Sequence, residues 1–286
     1  MKPSQTIRPI RSPTPPWGSV TSMPGTAQSS LPDVHDPWQR ARAAALQALK
    51  LDPNLAQAHT ALAEVKGYYD WDWSGAEESF KRALDLNPNL AEAHYQYGWQ
   101  LTMRNRNEEA EKHMLLAQEL DPLVVDYTAW LGGWYGMLGR DEEAIEELLK
   151  SFELGPNNVI SHWLLARIYA GQGDFDASDA EYEALLLATN RTGMKTVGMS
   201  ILYALAGRRA EAQEILDQTD LSSANPMLLA QLYALLGNKD RTFRQLETAF
   251  DIPLYSVGMI TVDPTFSSLQ EDPRYLALLK RANLHL

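Results

Sequence analysis

From residue 38 to about residue 250 the apolar positions recur three and four residues apart, the spacing of one helical face rather than the alternation of a strand. Helices are therefore predicted along the whole stretch, and their punctuation is regular. Leu51-Asp52-Pro53-Asn54-Leu55-Ala56-Gln57-Ala58-His59 returns as Leu86-Asn87-Pro88-Asn89-Leu90-Ala91-Glu92-Ala93-His94, with shorter echoes at Leu120-Asp121-Pro122 and Leu154-Gly155-Pro156. Pro53, Pro88, Pro122 and Pro156 stand 35, 34 and 34 residues apart, and Gly139, Gly173 and Gly207 step by 34 in the same phase. A fixed period of that length marks stacked repeats, each too small to bury its apolar face alone.

Each unit reads as two helices. A mid-unit glycine (Gly139, Gly173, Gly207, Gly237), or Asn105 in an earlier unit, closes the first helix in left-handed geometry. Ser74 with Glu77 reads as a capping box opening the second, and Asn107, Asp141 and Asp174 stand at similar places. The proline then ends it. Ala63, Gly98, Gly132, Ala166, Ser200 and Ala230 on the first helices, and Ala76, Ala110, Ala144, Ser178 and Ala212 on the second, let the two axes approach closely. Large neighbours such as Phe80, Tyr97, Leu131, Leu148 and Leu165 fill the core.

This pattern resembles the tetratricopeptide repeat across about residues 38–250, clearly so to residue 156. The resemblance implies an all-α fold, a right-handed superhelical solenoid of stacked antiparallel helix pairs. Trp38 to Lys50 matches only a second helix, and the last two of about six further repeats are degenerate, with Leu185 and Thr219 where alanine is usual. A narrower resemblance rests on Tyr69-Asp70-Trp71-Asp72-Trp73-Ser74-Gly75-Ala76-Glu77, Val262-Asp263-Pro264-Thr265-Phe266 and Asp272-Pro273-Arg274-Tyr275. These look like the C-terminal repeat region of bacterial winged-helix regulators, serine/threonine kinases and nucleotide cyclases, where repeats form a sensing arm.

The expected organisation is a disordered Pro/Ser-rich tail over 1–36, a solenoid over 37–250, and capping helices over 251–286. In the last segment Asp263-Pro264 and Asp272-Pro273 are helix starts, and Tyr275, Leu276, Leu278 and Leu279 cover the open end.

Composition narrows the chemistry. Across 286 residues, 25 Lys and Arg against 37 Asp and Glu leave a net charge of −12, which repels phosphate backbones and anionic lipid and argues against direct nucleic-acid or membrane partners. The absence of cysteine excludes thiol nucleophiles and thiolate metal sites. His59, His94 and His162 share one repeat position, a helix pair or more apart, and so read as structural. The acidic runs Asp141-Glu142-Glu143 with Glu146-Glu147, and Glu108-Glu109 with Glu111, read as solvated first turns. Gly171-Gln172-Gly173 lacks the strand and the further glycines of a nucleotide loop. No catalytic residue, metal or cofactor is expected, and with no secretory signal or spanning segment a cytoplasmic location is the default.

Function is expected on the concave face of the first helices, one or two positions off the core stripe. Glu64, Tyr68, Tyr95, Trp99, Asp126, Trp163 and Arg167 stand there as candidate partner-binding residues, rich in the types that dominate binding hot spots. The family's Lys/Asn/Arg clamp for a C-terminal carboxylate is not carried over, because the equivalent positions hold Glu, Thr, Trp, Tyr and Gly. The expectation is a non-enzymatic scaffold for extended apolar or aromatic segments of a protein or peptide, a basic residue meeting Glu64 or Asp126. The alternative is the sensing arm of a transcriptional or kinase system, separate from its effector. Solenoid ends stack readily, so self-association is compatible with either.

Overall fold

The computed structural model describes residues 35–190, 196–222, 224–252 and 257–284, so the predicted tail lies outside the described residues but for its last two. A lone helix, α1 (His35–Leu51), precedes six antiparallel pairs: α2 (Ala56–Glu64) with α3 (Trp73–Leu86), α4 (Ala91–Met103) with α5 (Asn107–Leu120), α6 (Val125–Met137) with α7 (Asp141–Leu154), α8 (Val159–Gln172) with α9 (Phe175–Ala188), α10 (Val197–Leu205) with α11 (Arg209–Asp217), and α12 (Pro226–Leu235) with α13 (Lys239–Phe250). Two 3-10 segments, Val257–Thr261 and Pro264–Leu269, and α14 (Pro273–Arg281) follow. The fold is an all-α repeat solenoid, with no strand among the described residues.

Close approach within pairs is enforced where the small residues stand. A Cβ at Gly98 would fall 3.2 Å from the Ala110 carbonyl oxygen, and one at Gly132 2.9 Å from that of Ala144, so a methyl at either site would push the two helices apart. In later pairs serine takes this place and bonds across: Ser178 Oγ donates to the Ala166 carbonyl at 2.9 Å and Ser200 Oγ to that of Ala212 at 2.6 Å. The extra residue of the 35-residue unit is absorbed as a π turn, Val65–Tyr69, running on from α2.

Several local expectations are revised. Asp72, not Ser74, caps α3, its carboxylate accepting from the Gly75 amide at 2.9 Å. Glu77 cannot complete a capping box, because Lys81, Arg104, Arg106 and the Tyr97 hydroxyl all engage it. Burial alone would raise the Glu77 carboxyl, but the three cations outweigh burial and hold it well below the usual carboxylate range. Asn107 and Asp141 are the first residues of their helices rather than caps, whereas Asp174 caps α9 as predicted. Glu147 is not on a solvated face: it is buried, accepting from Gln118 at 2.7 Å and Lys150 at 2.8 Å.

The largest departure concerns the end of the chain. Residues 257–284 do not simply cover the last pair. Phe266, Leu269, Tyr275, Leu278, Leu279 and Ala282 join one buried cluster with Trp38, Val65, Tyr68 and Trp73 from the first elements and Phe243, Leu246 and Phe250 from α13. The Trp73 indole N–H donates to the Ala282 carbonyl at 2.7 Å, and the Trp71 ring meets Phe250 edge-on at 5.8 Å. The two ends of the solenoid are thereby joined, and a shared core replaces the open-ended rod that repeats alone predict.

Candidate functional site

The inner face is built from the first helix of each pair, where Glu64, Trp99 and Arg167 each follow a small contact residue. Five of the seven candidates are closed off from water: Glu64 1%, Tyr68 3%, Tyr95 4%, Trp99 0% and Trp163 6% exposed. Arg167 is half-buried and Asp126 exposed. The walls around Asp126 still withdraw enough water to raise its carboxyl.

These residues fall into two groups. In the first, Tyr95 lies 4.7 Å from Tyr127 and 6.5 Å from Trp99, ring to ring, and Trp99 stands edge-on to Trp130 at 5.9 Å, so an aromatic run spans α4 and α6. Tyr68 donates to Gln96 Oε1 at 3.3 Å, and burial followed by the nearby Glu64 charge pushes its phenol well up. In the second group, the Arg167 guanidinium sits 5.5 Å over the Trp163 ring, which itself lies 6.1 Å from Tyr182. The indole provides a flat platform that orients a cation toward the interior.

Non-repeat polypeptide lies on this face. The 3-10 segment Val257–Thr261 runs against the end of α4, where Thr261 Oγ1 donates to the Met103 carbonyl at 3.0 Å. The approach is tight enough that a Cβ on Gly258 would come within 2.6 Å of Met103 Sδ. Asp263 follows, buried. Its Oδ2 accepts a short hydrogen bond from Gln231 Nε2 and lies 3.9 Å from Arg167 Nη2, while Oδ1 accepts from the Thr265 amide at 2.9 Å. Arg167 and Gln231 are themselves within 3.4 Å. The inner face thus holds a carboxylate of the chain itself at Arg167 and Gln231.

Gln231, Thr261, Gly258 and Asp263 were not among the predicted site residues. Gln231 follows Ala230 as Glu64 follows Ala63, Trp99 follows Gly98 and Arg167 follows Ala166, so the same rule extended to α12 finds it. Nothing local marks Asp263 beyond a helix start.

Elsewhere, several ionisable side chains link neighbouring repeats. Arg106 bridges Glu77 and Glu109, and Arg140 bridges Glu111 and Glu143 one repeat later. His94 and His113 meet through their Nδ1 atoms at 2.7 Å, with His94 Nε2 2.9 Å from the Pro88 carbonyl oxygen, and His162 Nδ1 lies 2.6 Å from Glu181. Burial, then the neighbouring His94, lowers His113 to about 4. Asp70, beside the Trp71 turn, pairs with Arg42 at 2.6 Å. Among the described residues no three His, Asp or Glu gather as a metal would require, and no helix is long and apolar enough to cross a membrane.

Residues 79–112 and 160–190 match family models of the tetratricopeptide repeat. No curated protein matches the sequence. Among solved structures, a tetratricopeptide repeat protein from Parabacteroides merdae is similar at 16% identity and a TM-score of 0.56, over 79% of this chain and 93% of that one. The Cut9-Hcn1 hetero-tetramer of APC/C is similar at 16% identity and 0.55, over 86% and 46%. The human IFIT1 dimer with PPP-AAAA is similar at 16% identity and 0.52, over 86% and 62%. At this identity the likeness is one of fold alone.

Proposed function

Because this chain is a tetratricopeptide-repeat protein, we propose that it acts as a non-enzymatic scaffold whose inner face, lined by Glu64, Tyr68, Tyr95, Trp99, Asp126, Trp163 and Arg167, receives a segment of a protein partner. One observation carries the reading. Arg167 and Gln231 reach past the helix packing to engage Asp263, a residue outside the repeats, so the face has side chains suited to holding irregular polypeptide. The aromatic run from Tyr95 to Trp130 is buried and forms a stiff floor under that face. His59, His94, His113 and His162, together with Glu77 and the buried Glu147, are engaged in structural contacts, which supports a binding role over chemistry, and the charge of −12 supports a protein partner over nucleic acid.

A random peptide library displayed on phage and selected on the immobilised full chain tests this. Enriched peptides are expected to bind Arg167→Ala at least about tenfold more weakly, the loss of one hot-spot contact. Peptides that bind equally well to Arg167→Ala and Trp163→Phe chains would overturn the reading.

A further inference from the structure

We propose that residues 257–269 act as a built-in ligand of the inner face, and that the external partner, on the scaffold reading above, carries the same chemistry: an internal aspartate followed by proline and, two residues further on, an aromatic ring.

The C-terminal segment contains Asp-Pro-x-aromatic twice, at Asp263-Pro264-Thr265-Phe266 and at Asp272-Pro273-Arg274-Tyr275. Both fold alike, the aspartate capping a helical turn that opens on the proline. Their carboxylates are used differently. Asp272 Oδ2 is held at 3.0 Å by Arg274 of its own turn, so this copy looks inward. Asp263 has a threonine in place of that arginine, and its Oδ2 turns to Gln231 and Arg167 on the repeats. Phe266 is buried, and Thr261 and Gly258 seat the preceding backbone against Met103. Within 257–269 the contacts to the repeats are a carboxylate to a Gln/Arg pair backed by Trp163, an aromatic ring into the shared cluster, and the preceding backbone to the end of α4. A partner presenting that turn would meet the same groups and compete with the segment already there, which makes the C-terminal segment a latch on the site.

The probe is a fluorescein-labelled peptide with the sequence of residues 257–272, titrated by anisotropy into the intact chain and into two chains with a weakened latch. Gly258→Val drives a side chain into Met103, and Asp263→Asn removes the anchoring charge from the chain while leaving its core side chains in place. Both weakened chains, verified as folded by circular dichroism, are expected to bind the peptide at least about tenfold more tightly than the intact chain does. Adding Arg167→Ala should abolish that gain, and a peptide with Asn at the position of Asp263 should bind about tenfold more weakly. Equal binding to intact and weakened chains, or indifference to Arg167, would overturn the latch. Loss of folding in both weakened chains would show that the segment is inseparable core, and exchange of the segment between two copies into a dimer would make the occupant a second copy; either also overturns it. If phage selection yields Arg167-dependent peptides without an aspartate, the scaffold reading stands and only this inference fails.

Discussion

Trp73→Phe isolates the contact that joins the two ends of the solenoid. Trp73 is buried, and its indole N–H is 2.7 Å from the carbonyl oxygen of Ala282, itself fully buried at the end of α14. Phenylalanine keeps an aromatic ring in place, removes the donor and leaves a small void whose cost adds to the loss. The net loss of one hydrogen bond is about 1 kcal/mol, and a carbonyl left dry and unpaired adds about 1 kcal/mol or more, so the docking of α14 should weaken by about 2 kcal/mol. Hydrogen exchange of the amides over 273–282 is the assay. Each 1.4 kcal/mol is a factor of about ten in an opening equilibrium, so exchange there should quicken by about thirtyfold, with α8 and α9 unchanged. If the loss reaches global unfolding, the melting temperature should fall by about 4–8 °C for a chain of this size. Unaltered exchange over 273–282 in a folded variant would refute the claim that Trp73 holds the C-terminal helix.

Other perturbations probe the stacking of the repeats. Trp99→Ala should cost about 3–5 kcal/mol in denaturant unfolding, the range for deleting a buried tryptophan, so it reports on stability and not cleanly on binding. Glu77→Gln takes the carboxylate from Arg104 and leaves Arg106 with Glu109 alone, and should cost about 1–3 kcal/mol at pH 7, discounted for their partial exposure. Since the Glu77 carboxyl is held down in the folded chain, its contribution is present above the unfolded value of 4.5 and lost as pH falls below it; the variant should show a flatter stability slope there. For His113 the folded value of about 4 lies below the unfolded 6.5, so the unfolded chain binds the proton first and stability should fall as pH drops from 6.5 toward 4. His113→Phe should flatten that slope in a pH series of thermal melts, and an unchanged slope would contradict the assignment.

The repeat pattern was legible because its signals are local. Asn105, Gly139, Gly173 and Gly207 take left-handed backbone where the 34-residue phase places them, as does Gly237 after a step shortened to 30, with φ between 58 and 81. Gly98 and Gly132 meet carbonyls of their partner helices because helix contact is set by spacing within one unit. The inner face was legible as a row of positions, but its state was not. Tyr95 and Trp99 are packed against Tyr127 and Trp130 of the next repeat, while Met103 is met by Gly258 and Thr261, more than 150 residues away in sequence, and periodicity carries no record of such a contact. Asp263 shows the same limit, since a capping aspartate and an anchoring aspartate have one local signature, and only Gln231 and Arg167 tell them apart. The acidic runs were misjudged at Glu147 for a related reason: its partner Gln118 belongs to the preceding repeat.

The chain contains no cysteine, so a single engineered pair tests most directly whether the C-terminal segment lies on the inner face. A Cβ at position 258 falls 3.1 Å from that of Met103, a small adjustment from the roughly 3.5–4.5 Å that a disulfide spans. Met103→Cys with Gly258→Cys in the full chain is expected to close an intramolecular disulfide under mild oxidation, read as loss of both free thiols with the protein still monomeric. A control pairing Met103→Cys with Ser267→Cys, an exposed position, should stay open. Thiols that remain free in the first pair, or that link only between molecules, would contradict the closed inner face.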